Sequence, residues 1–313
     1  MSRAKNSARN NARNNASPIR PIRAWPSALR ILLFLLCLVT LWGPVAWPLH
    51  RILGGQLGYR DVATAIALLL LYGLFIVLVQ VWGRRVHRWQ PTLRYLGLTG
   101  GWGNFLRRLA MAAGLGIVGV LLLFVIQGLC GWVTFRSPGQ DWGTLLATAG
   151  VVGLAYGVLE ELLFRGWLLA ELETGGRSRT ALLANAAVFA LAHFIKPLPE
   201  IIRTFPQFVG LFVLGLALVW ARRTTTRQVT PDLQPTSLAL PMGLHSGLVG
   251  GYYLFNVGNL VAYTQQVPEW VTGIDRNPLA GLLGVGLLGA IAILFARQAQ
   301  VKTSQSLEEV VGE

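Results

Sequence analysis

Apolar positions in this chain come in long unbroken runs, without strand-like alternation or a heptad repeat. A helix that crosses a bilayer needs about 20 mostly apolar residues. Runs of that kind cover residues 28–48, 62–82, 109–133, 143–172, 179–197, 206–221, 236–256 and 277–297. They predict an all-α polytopic membrane helix bundle of about eight transmembrane helices. The fourth run is unusually long and carries charges in its second half, while the sixth is at the lower limit of length. Gly175-Gly176 breaks the helical pattern and joins the fourth and fifth runs as a hairpin. The divisions that follow are a basic arm over residues 1–26, three N-terminal spans over 27–140, a core of spans over 141–260, and a last span with a short tail over 261–313.

Composition excludes the soluble alternatives. Of 313 residues, 53% are hydrophobic and 13% charged, where a soluble domain carries roughly 25% charge. The net charge of +14 does not describe a nucleic-acid binder, because the basic residues lie between apolar runs and not on an interleaved polar surface. With the N-terminus inside, 20 Lys and Arg fall on the cytoplasmic side and six on the other, leaving Arg165 within a span. The positive-inside rule then places both termini in the cytoplasm. Residues 1–26 are rich in Arg, Asn, Ser and Pro, and the first acid is Asp61. They read as a disordered basic arm on an anionic leaflet, with an organelle transit peptide as the second reading. Cys37 and Cys130, both in apolar stretches, offer neither a disulfide framework nor a cysteine zinc site.

Two glycine patterns carry no nucleotide chemistry. Gly114, Gly116 and Gly119, like Gly284, Gly286 and Gly289, satisfy GxGxxG, but both sets lie inside apolar runs instead of following a strand. They are expected to be helix-packing glycines, as are the pairs Gly153/Gly157 and Gly243/Gly247.

Charges inside the apolar runs are the informative exceptions. Glu160, Glu161 and Arg165 lie in the fourth run, His193 in the fifth and His245 in the seventh. Ionisable groups at bilayer depth cost about 2.5–3.5 kcal/mol on insertion scales and are functional candidates by default. Glu161 and Arg165, at i and i+4, share a helix face and neutralise each other. Glu160 is turned by about 100° and is free to face a cavity. Phe189 sits one turn from His193. Counted from the hairpin, Glu160 and His193 lie at nearly one depth and His245 is shallower, so the three are expected to converge in a cavity opening to the cytoplasm. Glu171, Glu173, Arg177 and Arg179 read as a solvated hairpin, and Trp42, Trp47, Trp82, Trp142 and Trp270 as interfacial belts.

A carboxylate and two imidazoles support two chemistries. Glu160 and His193 can activate a water that attacks a carbonyl while His245 stabilises the oxyanion. Alternatively Glu160, His193 and His245 hold a zinc ion as a two-His, one-carboxylate site. The His-Glu-x-x-His helix of common zinc hydrolases is absent.

The segment Glu160-Glu161-Leu162-Leu163-Phe164-Arg165 resembles the EExxxR motif of the CPBP intramembrane proteases, the CAAX-protease and bacteriocin-processing (Abi) family. Phe189-Ala190-Leu191-Ala192-His193 resembles that family's FxxxH motif, and His245 its third-motif histidine, so that the resemblance covers roughly residues 140–260. It implies peptide hydrolysis within the membrane, which in the CAAX branch removes the last three residues of a prenylated protein. By this resemblance Glu160 and His193 activate water, His245 helps form the oxyanion hole, and Glu161, Arg165 and Phe189 support the site. The partners implied are the lipid bilayer and a membrane-associated or lipidated protein substrate, with no nucleic acid. A metal-free mechanism is expected, with zinc as the alternative. Many members carry Asn or Asp four residues after the third-motif histidine, where this chain has Val249. Asn256 can replace that amide only if the helix breaks at Gly250-Gly251. The sequence Gly243–Gly247 looks like a bacterial or cyanobacterial variant, so a bacterial plasma membrane is the expected location. A reading from another class is a non-catalytic immunity or scaffold protein that binds a peptide or partner in the same pocket.

Overall fold

The computed structural model describes residues 20–99, 101–174, 178–225 and 237–311. Residues 1–19 of the basic arm, and the hairpin residues Gly175, Gly176 and Arg177, lie outside that set. The chain divides into two compact units, residues 1–93 and 94–313.

The first unit contains α1 (Ser27–Leu49), continued by a π-helical turn over His50–Gln56, and α2 (Arg60–Trp82), continued likewise over Gly83–His87. Long side chains join the two helices. Phe34 meets Phe75 and Trp82 edge to face at 6.0 and 5.5 Å, and the Trp42 indole donates to the Ala67 carbonyl at 2.8 Å. Trp82 is therefore a buried packing residue and does not belong to an interfacial belt, whereas Trp47 is exposed.

The second unit begins with α3 (Trp102–Leu129), followed by β1 (Val133–Phe135). Next comes α4 (Trp142–Glu161), which runs on through a π-helical stretch, Leu162–Leu168, into Leu169–Glu173. Then follow α5 (Ser178–Ala192), α6 (Leu198–Thr204), α7 (Gln207–Arg223) and α8 (Ala239–Tyr252), the last with a π-helical end over Tyr253–Val257. β2 (Val261–Tyr263) pairs antiparallel with β1, and α9 (Leu282–Val311) ends the chain.

The fold is an all-α membrane bundle, and helices occupy all eight apolar runs. Among the described residues five helices are long and apolar enough to cross a membrane, and a sixth span forms if α6 and α7, bent by 74°, count as one. α5 and α8, at 15 and 14 residues, are shorter than the runs that predict them. For α8 the reason is burial: from Ala239 to Leu248 only Leu240 is not fully buried. A helix sheathed by protein has no lipid thickness to match.

Small residues make that sheath possible. On α8, a Cβ at Gly243 would lie 2.1 Å from the Leu109 carbonyl oxygen of α3, and one at Gly247 would lie 2.1 Å from that of Ala113. On its other side, a Cβ at Gly157 of α4 would lie 2.1 Å from Ser246 Oγ. These backbones touch where any side chain would push them apart. Gly116, Gly119 and Gly284 also pack closely, but nothing lies within 4 Å of a Cβ at Gly114, Gly286 or Gly289. Each GxGxxG pattern is thus only partly a packing motif.

The close contacts also fix the levels of the helices. α3 and α8 run parallel and α4 runs antiparallel to them, so that Gly157 lies level with Ser246. Leu238, just ahead of α8, donates its N–H to the Gly97 carbonyl at 2.9 Å and is fully buried. α8 therefore starts well inside the bundle, which brings His245 deeper than a count along the sequence predicts. Gly247→Leu is expected to lower the thermal unfolding midpoint of the detergent-solubilised protein sharply, since overpacking against backbone costs at least about 1–3 kcal/mol. Gly114→Ala, at an open position, is expected to leave it unchanged or raise it slightly.

Candidate active site

The site is built where the regular helix of α4 gives way to the wider π-helical turn at Leu162, a feature often found at functional positions. The turn places Arg165 beside Glu161, with Arg165 Nη1 donating to Glu161 Oε1 at 2.8 Å. Both side chains are 0% exposed, so solvent screening does not weaken the pair. Arg165 Nη2 donates to the Gly215 carbonyl of α7 at 3.3 Å. Asn185 of α5, also fully buried, donates to the Phe164 carbonyl at 2.7 Å.

Glu161 has a second partner. His245 Nδ1 lies 2.8 Å from the same Oε1. A carboxylate oxygen only accepts, so the imidazole donates through Nδ1–H and its Nε2 is left free. That Nε2 faces Glu160 Oε2 at 3.9 Å, beyond direct hydrogen-bond reach. Glu160 Oε2 is buried and has no hydrogen-bond partner. His193, just past the end of α5, is held in the same way. Its Nδ1 lies 2.8 Å from the Phe189 carbonyl, so it donates there and Nε2 is again free.

Phe189 joins these groups. Its ring lies 4.2 Å from the Arg165 guanidinium carbon. It meets His193 and His245 edge to face, with centroids 4.8 and 5.9 Å away, and Phe164 at 5.1 Å. One fully buried ring thus touches the cation and both imidazoles, a larger part than its spacing from His193 suggested.

His193, His245 and Phe189 line one cavity of about 140 Å³, whose walls are otherwise mostly apolar. Val249 is on its wall, together with Leu248 and Tyr252. α8 does not break at Gly250-Gly251. Asn256 consequently lies in a different cavity, with its Oδ1 3.1 Å from the Tyr263 hydroxyl, and does not stand in for the amide that Val249 replaces. The cavity also lies on the other side of the histidines from the one the depth count predicts. Its lining extends from His245 toward the start of α7 and the connection before α9, away from the Glu173–Ser178 turn. The depth count gave the level of the charges but not the side of them on which the cavity lies.

Of the charges expected to form a solvated hairpin, Glu171 is instead fully buried, whereas Glu173, paired with Arg223 at 2.8 Å, and Arg179 are exposed, and Arg177 lies outside the described residues. Asn185, Gly215 and Tyr252 had no signal in the sequence, because each joins the site through helix-to-helix register. Among the described residues, no group of three or more His, Cys, Asp or Glu side chains is placed to hold a metal ion.

Removing one partner from a buried ion pair strands the other, at about 3–5 kcal/mol. Arg165→Leu is expected to destabilise the protein by that order. Adding Glu161→Gln should recover part of the loss, and a double-mutant cycle on thermal unfolding measures the coupling.

Residues 141–250 match the family model described as type II CAAX prenyl endopeptidase Rce1-like. That segment holds all three motifs. No curated protein and no solved structure matches the chain.

Proposed function

Because residues 141–250 match the type II CAAX prenyl endopeptidase Rce1-like family model, we propose that this protein is an intramembrane endopeptidase in which Glu160 and His193 activate water and His245 stabilises the oxyanion. The observation that carries the reading is the pair of fixed imidazoles. Each commits Nδ1–H to an acceptor and leaves Nε2 free, and the unpartnered Oε2 of Glu160 lies 3.9 Å from His245 Nε2.

The proton path follows from that arrangement. Glu160 takes a proton from water as the water oxygen attacks the peptide carbonyl carbon, and His193 Nε2 accepts the second water hydrogen and orients the nucleophile. Collapse of the tetrahedral intermediate breaks the C–N bond, and the proton held on Glu160 passes to the departing amine. His245 meets the developing oxyanion through Nε2 once that nitrogen is protonated. Glu161, on the far nitrogen, orients the ring and stabilises the imidazolium, as the carboxylate of a catalytic triad does. Arg165 holds the Glu161 carboxylate in place through the 2.8 Å ion pair, so Glu161 and Arg165 are positioning residues.

Glu160, His193 and His245 are also the donor types that zinc requires. As the described side chains lie, they form no three-ligand group, and none of the proton transfers above needs a metal. The substrate is a membrane-associated or lipidated protein. Both termini are assigned to the cytoplasm, in a bacterial plasma membrane.

Glu160→Gln, His193→Ala and His245→Ala are each expected to lower processing at least about a hundredfold without lowering the amount of protein in the membrane. The measurement is N- and C-terminal peptide mapping of membrane proteomes that carry the wild type or each variant. A chelator is expected to leave wild-type processing intact. If the Glu160→Gln membranes show the wild-type set of new termini, the catalytic reading is wrong and pocket binding without catalysis takes its place.

A further inference from the structure

A second, larger cavity of about 620 Å³ has no part in the chemistry above. It is lined by the β1–β2 pair and by the connection between α8 and α9. Its level in the bilayer follows from the helices around it. α3 has 28 residues, about 42 Å at 1.5 Å per residue, and so crosses the roughly 30 Å hydrocarbon core completely. Trp132, three residues past its end, lines the cavity, and α4 begins again at Trp142. Trp142 and Trp270 are both exposed at this end, as tryptophans are at the level of lipid headgroups. The cavity therefore lies among headgroups and not among acyl chains.

Its wall is rich in hydrogen-bond donors and short of negative charge. Arg136 and Arg276 line it, against the single carboxylate of Glu269. The acids nearest to the two arginines in sequence are committed elsewhere. Asp141 accepts from the Thr144 N–H at 2.9 Å as the cap of α4, and Asp275 is paired with Arg203. Among the described residues neither guanidinium has an ion-pair partner. Asn256 adds a third donor. The Tyr263 hydroxyl lies 3.1 Å from Asn256 Oδ1 and 3.1 Å from the Arg276 carbonyl. Burial, and then the neighbouring Tyr252, push its ionisation well above the ordinary range, so it stays protonated. With Oδ1 turned to that hydroxyl, Asn256 Nδ2 is left buried and without a partner on a residue of the cavity wall. A buried donor in that state calls for an acceptor.

The backbone holds these groups in a fixed arrangement. The Arg136 N–H donates to the Leu260 carbonyl at 2.8 Å, next to the start of β2, and Tyr263 at the end of the same strand reaches the Arg276 carbonyl. Among the described residues five non-glycine residues have a left-handed backbone. Asn259, Gln265 and Arg276 of that set line this cavity, and Asp275 adjoins it. Such conformations persist only where the surroundings impose them, and they cluster where ligands are held. The segment 273–277 is tied to the α6–α7 bend by the Arg203–Asp275 ion pair and by Gln207 Nε2 donating to the Ile274 carbonyl at 3.2 Å.

We propose that this cavity binds a phosphate ester, the group that phospholipid headgroups and soluble glycerol phosphates share, with Arg136, Arg276 and Asn256 Nδ2 as donors to its oxygens. A guanidinium is a rigid fork that matches phosphate oxygens in pairs. Two forks and a separate amide offer more donors than the two oxygens of one carboxylate can accept. The volume is in the range that holds a ligand of headgroup size. Gln265, Gln266 and Asn259, also on the wall, meet the polar remainder of such a group. The site contains none of Glu160, His193 or His245, and it stands whether or not the protein is an endopeptidase.

The test uses the full chain, purified in an uncharged detergent and stripped of lipid, with dioctanoylphosphatidylglycerol as the probe. Native mass spectrometry counts the bound lipid across a titration, and thermal unfolding is followed alongside. One lipid is expected to remain bound and to raise the unfolding midpoint. Arg136→Gln and Arg276→Gln, both at exposed positions, are each expected to weaken that binding at least about tenfold, the loss of a hydrogen-bonded charge. Arg107→Gln, at an exposed arginine of α3 outside the cavity, is expected to leave it unchanged. Lipid-free midpoints equal to the wild type show that the variants fold, and where one arginine variant fails to accumulate the other carries the test. Binding that both arginine variants retain in full overturns the proposal. So does equal binding of dioctanoylglycerol, which has the same chains and no phosphate. Free sn-glycerol 3-phosphate separates the two sources. Its displacement of the lipid supports a site open to the soluble ester as well, and retention of the lipid against it supports a headgroup site.

Discussion

The second unit is organised around one carboxylate oxygen. Glu161 Oε1 accepts from both Arg165 and His245 at 2.8 Å, in a place with no solvent. A buried charge that lacks a partner is expensive, and a buried pair with good geometry is roughly neutral. The arrangement therefore contributes specificity more than stability: only one register of α8 against α4 gives Glu161 both partners. A slip of one residue would turn His245 off that face and leave the carboxylate with Arg165 alone. The same contact commits His245 Nδ1 and so decides which nitrogen faces the cavity. Fold register and imidazole tautomer are consequences of a single interaction.

Such a contact requires two backbones closer than ordinary side chains allow. Gly153 and Gly157 supply that closeness, since a Cβ at either would meet Ser246 of α8, at 2.5 and 2.1 Å. Glycine is a poor helix former, by about 1 kcal/mol relative to alanine. Here that cost is offset by bringing the polar groups of α4 and α8 within hydrogen-bond reach in a medium where water cannot substitute. Asn185, holding the Phe164 carbonyl, and Phe189, packed on the arginine, complete the enclosure from α5.

What could be read from the sequence was whatever is local along one helix. The Glu161–Arg165 pair follows from i,i+4 spacing, and the long apolar runs give the helices. Glu161–His245 spans 84 residues and depends on helix register, for which single-sequence spacing holds no information. The depth of His245 was misjudged because α8 starts inside the bundle, at a Leu238 bonded to Gly97. The side of the histidines on which the cavity lies was misjudged for a related reason. Counting residues from a turn gives distance along an axis, but where space is left depends on how the axes pack. The polar cavity around Tyr263 comes from the long connection after α8, where no periodic pattern exists to be read.

Val249 bears on how such a site could work without the usual amide. An oxyanion donor lost from a site of this kind typically costs about two to three orders of magnitude in turnover. Two adjustments on this chain act in the opposite direction. In the proposed mechanism Glu161, on the far nitrogen of His245, stabilises positive charge on the ring as a negative oxygen forms, and a charged donor makes roughly twice as strong a hydrogen bond as a neutral one. Val249, Leu248 and Leu211 also keep the cavity wall apolar, which lowers the local dielectric and strengthens that bond further. An Asn at 249 would add a donor but also bring a polar side chain that needs its own partners. In the proposed mechanism, with Glu161 already engaged by two donors, His245 on this mostly apolar wall is the simpler way to meet an oxyanion.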